Sequence, residues 1–328
     1  MSEPFFNYII TIHNKEDLIH DVLISTLLCC GPRSRVFAVI DGCTDNTEAI
    51  LDEFTSQFQS VPLVKVPAAD VHELLSINTG LRAAPQEGEG YNIILQDDVV
   101  LADLALEAKV RQLYEWGGGR LGYVSFRLGV NFEPDARTSG RTVPLNDCIE
   151  NAYGHGFPGA EVLLPGRFAF RTVPIKSPVC LPSRLVREVG LMNEDLAPYG
   201  HDDTELAIRL VRAGYDNGVF GVRFYSELKW GGTRATPHPG MHTIQARNMD
   251  KIRALYGPEL EEIARGVQRK DVIALPGLCS EELDAQALAQ YERTKRLSAL
   301  PHATVGSRIR SGLRRIASEL SAKTRPSA

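Results

Sequence analysis

Tyr91-Asn92-Ile93-Ile94-Leu95-Gln96-Asp97-Asp98 is an apolar run that stops on two adjacent carboxylates. Residues 91–95 have the length and the apolar content of a buried strand. Two carboxylates at its end are costly, because apolar surroundings disfavour charge. A divalent cation removes that cost. Mg²⁺ and Mn²⁺ are hard ions, usually held by one or two carboxylates together with the phosphates of a substrate. The pair therefore reads either as such a site or as a loop acidic pair that caps the next helix.

Upstream of this strand the chain alternates. Residues 8–12 are apolar and β-branched, and Asn14 stands where an N-cap would open a helix over 15–29. A strand over 35–40 ends at Asp41-Gly42, and a helix over 46–58 follows, with Asp45 and Glu48 at capping-box spacing. A third strand over 62–66 and a helix over 71–84 complete the series. This β-α-β-α order predicts an α/β fold: an open, mostly parallel sheet with helices on both faces. Such sheets bind ligands beyond the carboxyl ends of their strands. Thr11, Asp41 and Asp97-Asp98 all fall at those ends.

The middle of the chain, 117–182, is rich in Gly, Pro and Arg and reads as sheet extensions and loops facing a substrate. Gly117-Gly118-Gly119 reads as a turn, since 120–126 has the pattern of a strand. Regular patterns return over 183–256. The organisation expected is one domain over 1–257, with a nucleotide-binding half at 1–116 and an acceptor-binding half at 117–257. A helical, charged tail occupies 258–328. Within it Val305, Ile309, Leu313, Ile316 and Leu320 form one helical stripe amid Arg308, Arg310, Arg314 and Arg315. That pattern suits either an anionic membrane surface or docking on protein.

A net charge of −5 makes the whole molecule a poor polyanion binder and excludes nucleic acid as an expected partner. No stretch approaches the roughly 20 apolar residues of a membrane span, and the N-terminal residues lack the pattern of a secretory signal. The six cysteines include no C-x-x-C pair, which favours reduced thiols and a cytoplasmic protein.

A second acidic cluster, Gly200-His201-Asp202-Asp203-Thr204-Glu205, opens an amphipathic helix carrying Leu206, Ala207, Leu210 and Val211. Asp202 and Glu205 have the spacing of a capping box. A helix needs one N-cap, so Asp203 is left over, placed where a base would project into a cleft.

Taken in order, four segments resemble family 2 glycosyltransferases of the GT-A fold. They are Ile9-Ile10-Thr11-Ile12-His13-Asn14-Lys15-Glu16; Val39-Ile40-Asp41-Gly42-Cys43-Thr44-Asp45-Asn46-Thr47; Asn78-Thr79-Gly80-Leu81-Arg82-Ala83-Ala84 with Ile94-Leu95-Gln96-Asp97-Asp98; and Val189-Gly190-Leu191-Met192-Asn193-Glu194 with 200–206, Arg209 and Gly214. The resemblance spans about 7–256. It implies Thr11, Asp41, Arg82 and Asp97 as donor contacts, with Thr11 and Asp41 on the uridine or other nucleoside. It implies Asp98 or Asp97 as ligand of Mn²⁺ or Mg²⁺, with His238 or His242 as a third ligand. Asp203 takes the position of the catalytic base, with Asp202 in place of the usual glutamate. Asn193 falls in the acceptor segment, and Trp230 reads either as a sugar-stacking ring or as core. The implied reaction is transfer of a sugar from a nucleoside diphosphate, a UDP-sugar first, to a hydroxyl of a glycan or lipid-linked glycan, with inversion. The departures are Ile40 and, depending on register, Leu95 or Gln96, where the family carries aspartates. A non-catalytic binding subunit and a nucleotidyltransferase remain as alternatives; the latter would show a Gly-rich basic loop after the first strand, and 11–16 has no glycine.

Overall fold

The structure, a computed structural model, describes residues 3–58, 62–133, 145–227, 230, 240–266 and 270–298. β1 (Phe5–Ile12) is buried along nearly its whole length, as a parallel strand covered on both faces must be. It pairs in parallel with β2 (Ser34–Asp41), and β2 pairs in parallel with β3 (Leu63–Ala68). On its other side β1 pairs in parallel with β4 (Gly90–Gln96). Strand order thus reverses between β1 and β4, which makes the crevice beyond their carboxyl ends the expected ligand site.

Helices α1 (Ile19–Cys29), α2 (Thr47–Gln57) and α3 (His72–Ala83) connect these strands. Alternation along β1 sends Tyr8, Ile10 and Ile12 into one core with residues of α1 and α2, and Ile9 into the other with Leu74, Ile77 and Leu81 of α3. α3 lies close to the sheet. A Cβ at Gly80 would stand 2.4 Å from Ile9 Cγ2 and 2.9 Å from Val39 Cγ2. The close contact offsets the roughly 0.5–1 kcal/mol that glycine costs inside a helix.

Beyond β4 come β5 (Val100–Leu101), α4 (Leu106–Trp116), β6 (Leu121–Ser125), β7 (Leu128–Phe132), β8 (Leu145–Asn151), β9 (Glu161–Leu163), β10 (Arg167–Phe170) and β11 (Val173–Ile175). Then follow β12 (Val179–Pro182), α5 (Ser183–Val189), α6 (Asp202–Arg212), β13 (Asp216–Phe220), β14 (Phe224–Tyr225), a helix Met241–Gly266, β15 (Val272–Ala274) and a helix Glu281–Ser298. Nine strands form one sheet in the order β15-β10-β13-β6-β12-β4-β1-β2-β3. β12 is antiparallel and joins β4 to β6, which runs with β4. A smaller sheet has the order β11-β7-β8-β9, and β14 pairs with β5 just after Asp97-Asp98.

The expected alternation over 8–95 is present, with three local corrections. α1 starts at Ile19, not at 15, and Asn14 does not cap it. Asn14 sits in the left-handed region at φ 49° and its Oδ1 accepts from Thr44 N–H at 2.8 Å. The Asp45–Glu48 box does not form: Asp45 accepts from Thr47 and Glu16 N–H, and Glu48 pairs with Lys65. The position 257/258 lies within the helix Met241–Gly266, and β15 pairs with β10 at the edge of the main sheet. The stripe at 305–320 lies outside the described residues. All six cysteines are free thiols. Among the described residues no helix is long and apolar enough to cross a membrane.

Candidate active site

The strand ends at the β1/β4 reversal bring four of the expected residues to one edge. Thr11 pairs in register with Gln96, and its carbonyl accepts from Asp97 N–H at 3.1 Å. The Thr11 hydroxyl reaches toward Leu95 O at 3.5 Å. Asp41 ends β2, 4% exposed, and its Oδ1 accepts from Val71 N–H at 2.7 Å, which ties the strand end to the start of α3. Gly42, at φ 59°, lets the chain turn there, and a Cβ on it would stand 2.6 Å from Asp70 Cβ.

Between β1 and α1 the backbone wraps these strand ends. His13 N–H donates to Asp97 Oδ2 at 2.9 Å, and His13 Nδ1 lies 2.6 Å from Asp41 O. Lys15 Nζ lies 3.5 Å from Asp97 Oδ1 and donates to Trp230 O at 2.5 Å. Burial pushes the Asp97 carboxyl up to about 6, against the opposing pull of Lys15 and the His13 amide. Asp98 is 2% exposed. Two adjacent carboxylates with hard oxygens, one of them destabilised as an anion by burial, fit a divalent cation that takes its remaining ligands from phosphate. Among the described residues no three His, Cys, Asp or Glu side chains gather as metal ligands. His242 is exposed in the first turn of Met241–Gly266, and His238 lies outside the described residues.

The second acidic cluster is built differently from its sequence pattern. The Asp202–Glu205 capping box does not form. Glu205 Oε1 accepts from Tyr256 OH at 2.5 Å, and both its oxygens accept from Arg209 Nε at 3.0 and 2.9 Å. Asp202 is fully buried; Oδ1 accepts from Gly200 N–H at 3.1 Å and Oδ2 pairs with Lys176 Nζ. Lys176 also lies 3.6 Å from Glu73 Oε1, the oxygen that accepts from Gln96 Nε2. A chain of polar contacts, Gln96–Glu73–Lys176–Asp202, therefore links the residue before Asp97 to the residue before Asp203.

Asp203 itself is 8% exposed, and its Oδ1 accepts from Thr204 N–H at 2.7 Å. Among the described residues no group hydrogen-bonds its Oδ2. Burial, and then the neighbouring Asp202 charge, push the Asp203 carboxyl up to about 6 although Lys176 pulls the other way. Asn248, on the helix Met241–Gly266, fixes the preceding loop by donating to Leu196 O, Tyr199 O and Gly200 O at 2.7, 3.1 and 2.8 Å.

Three expected contacts are placed elsewhere or otherwise engaged. Arg82 is in the last turn of α3, whose first turn carries Glu73 toward Gln96; it pairs with Glu194 at 2.6 Å and is 54% exposed. Asn193 caps the short 3₁₀ turn Glu194–Leu196, its Oδ1 accepting from Asp195 N–H at 3.1 Å. Trp230 is half-buried against the core, with its Nε1 buried. Sequence reasoning missed His13, Glu73 and Asn248. Their partners lie 23 to 84 positions away in the sequence. The one local signal was that His13 and Lys15 directly follow a strand end.

The matched family model is that of glycosyl transferase family 2, over residues 8–122. No curated protein sequence matches the chain. Among solved structures, the mannosyltransferase PcManGT from Pyrobaculum calidifontis, in complex with GDP-Man and Mn²⁺, is similar with TM-score 0.50 and 16% identity, covering 96% of this chain and 81% of that one. S. aureus TarS 1-349 in complex with UDP-GlcNAc is similar with TM-score 0.50 and 14% identity, covering 88% of this chain and 72% of that one. Residues 8–122 thus match glycosyl transferase family 2, and the fold of the chain is similar to that of GT-A glycosyltransferases.

Proposed function

We propose that this chain is a metal-dependent, inverting glycosyltransferase, moving a sugar from a nucleoside diphosphate to a hydroxyl of a glycan or lipid-linked glycan. The observation that carries the reading is the contact chain from Gln96 to Asp202. It holds Asp97-Asp98, at the reversal of strand order, and Asp203, at the start of α6, in one framework. Asp41 and Thr11 would meet the nucleoside at the ends of β2 and β1. Asp97 and Asp98 would hold Mn²⁺ or Mg²⁺ on the diphosphate. Such an ion supplies Lewis-acid stabilisation of the leaving group's charge when bound.

Asp203 suits the base. Asp202 is neutralised by Lys176, whereas Asp203 keeps an oxygen that nothing described engages. A carboxyl raised toward neutral pH is a better proton acceptor than an ordinary one. One base acting on the acceptor hydroxyl, opposite the leaving group, gives inversion. The neighbours' complexes with GDP-Man and Mn²⁺ and with UDP-GlcNAc support a nucleotide-sugar donor. A peripheral membrane contact through 305–320 would suit a lipid-linked acceptor.

The test is a thermal-shift screen of UDP- and GDP-sugars with Mn²⁺, since a ligand bound only by the native state raises apparent stability. Product analysis follows for each hit. Release of nucleoside diphosphate with inverted anomeric configuration is expected. Pyrophosphate release would replace the reading with nucleotidyl transfer, and binding without turnover of any acceptor would favour a binding subunit.

A further inference from the structure

Arg127 follows β6 at the carboxyl end of that strand, on the same sheet edge as Asp97-Asp98, and is 5% exposed. Its Nε donates to Ser177 O and its Nη1 meets His155 Nε2. Its Nη2 is buried and has no hydrogen-bond partner among the described residues. The guanidinium lies over the Phe224 ring, 5.4 Å from the centroid. Among the described residues no carboxylate stands within ion-pair reach of it. Glu150 acts on it only from a distance, and the Glu150 oxygens accept from His155 and Phe157 N–H at 2.8 and 2.7 Å.

A buried cation without a counter-ion is costly, and so is an unsatisfied buried donor. Burial pulls the Arg127 pKa down only to about 10, so the charge persists at neutral pH. The location of the group is informative. Ser177 accepts through its carbonyl from Arg127 and through its hydroxyl from Gln96 N–H at 2.9 Å. Lys176, the preceding residue, holds Asp202 and Glu73. Arg127 thus stands at the joint between the strand end bearing Asp97-Asp98 and the start of the helix bearing Asp203. A donor spanning those two carboxylate sites passes this joint.

We infer that Arg127 is an oxyanion-binding residue of the donor site, pairing through its guanidinium with a phosphate or carboxylate of the nucleotide sugar. Resting on the transferase reading above, it adds a residue and a ligand chemistry to it. Arg is suited to either oxyanion because its planar fork matches both. The two sources are the diphosphate and an acidic sugar.

Calorimetry on wild type, R127M and R127K, with Mn²⁺ and with UDP, GDP, UDP-glucose and UDP-glucuronate, separates them. Loss of one hydrogen bond to a charged group weakens binding roughly 10- to 100-fold. R127M is expected to show that loss, and R127K a smaller one in the same arm. A loss already present with the bare nucleoside diphosphates assigns the oxyanion to the diphosphate. A loss confined to UDP-glucuronate, with wild type preferring it to UDP-glucose, assigns it to the sugar. Should R127M not fold, R127K is read by the same comparison, because lysine keeps the charge but lacks the planar fork that donates to Ser177 O through Nε while Nη2 is left for a ligand. Nucleotide binding unaltered by either substitution overturns the proposal alone. Absence of nucleotide binding in wild type overturns the transferase reading, and the proposal with it.

Discussion

Lys176 pairs with Asp202 and not with Asp203, the next residue along α6. The two neighbouring carboxylates therefore differ in state as well as position: one is a neutralised structural anion, the other an acid with one oxygen that no described group engages. Removing one partner of a buried ion pair costs about 3–5 kcal/mol. Asp202→Asn should consequently lower the midpoint of chemical denaturation clearly, by an amount that Glu73, still within reach of Lys176, reduces. Asp203→Asn should raise that midpoint at neutral pH, where burial and Asp202 disfavour the wild-type carboxylate, and depress turnover by about 10²- to 10⁴-fold, with donor affinity retained. Rates and unfolding curves measured side by side decide it. Near-normal turnover in Asp203→Asn with a dead but stable Asp202→Asn would reverse the assignment.

A base must be ionised to act, and the Asp203 carboxyl is raised to about 6. Turnover should fall as pH drops through about 6. Stability moves the other way. A carboxyl whose folded pKa lies above its unfolded value favours the native state while protonated, and that contribution is lost as pH rises from about 4 to about 6. Asp203→Asn should flatten this part of the stability–pH curve relative to wild type. A curve identical in the two proteins would mean that Asp203 is an ordinary exposed acid.

Asp97 and Asp98 should couple metal to nucleotide. With both replaced by Asn, calorimetry should find no Mn²⁺-dependent gain in affinity for UDP or GDP, while far-UV circular dichroism stays that of wild type. Metal-dependent affinity surviving the double substitution would remove these residues from the metal site.

Asp41 should act on the nucleoside, not the sugar. Because its Oδ1 also holds Val71 N–H, Asp41→Asn is a cleaner probe than Asp41→Ala, since an amide oxygen still accepts that bond. The loss of affinity should be the same for a nucleoside diphosphate and for its sugar conjugate. A loss confined to the sugar-bearing ligand would contradict the placement.

The first half of the fold was readable because β1 to β4 announce themselves locally. Runs such as Phe5–Ile12 are buried on both faces, and Asp41-Gly42 and Asp97-Asp98 close β2 and β4. The site's acidic residues at 97–98 and 202–203 were visible for the same reason. Their electrostatic states were not. Glu205 was read as a capping partner of Asp202, yet Arg209 one turn on and Tyr256, 51 positions away, hold it instead. Asn14 was read as an N-cap, but Thr44 across the loop takes its oxygen. Spacing reports which partners are locally possible, and tertiary contacts with larger free energy select among them. The placement of β15 at the far edge was equally hidden, since three half-exposed residues carry little periodic signal.

β12 has a consequence for any attempt to isolate the segment that carries the family pattern. Residues 8–122 end within β6, and every hydrogen-bonded neighbour of β6 comes from later in the chain, β12 on one side and β13 on the other. β4 depends on the same insertion: Ile93 and Ile94 face Cys180 and Val179 across the ladder, and Asn92 Nδ2 donates to Leu181 O at 3.1 Å. A fragment cut at 122 would expose the apolar edge of its own central sheet, a template for intermolecular strand pairing. The stretch that identifies the chain and the unit able to fold are thus different lengths of polypeptide. Excision, permutation or domain grafting would have to carry the antiparallel strand along with β1 to β6.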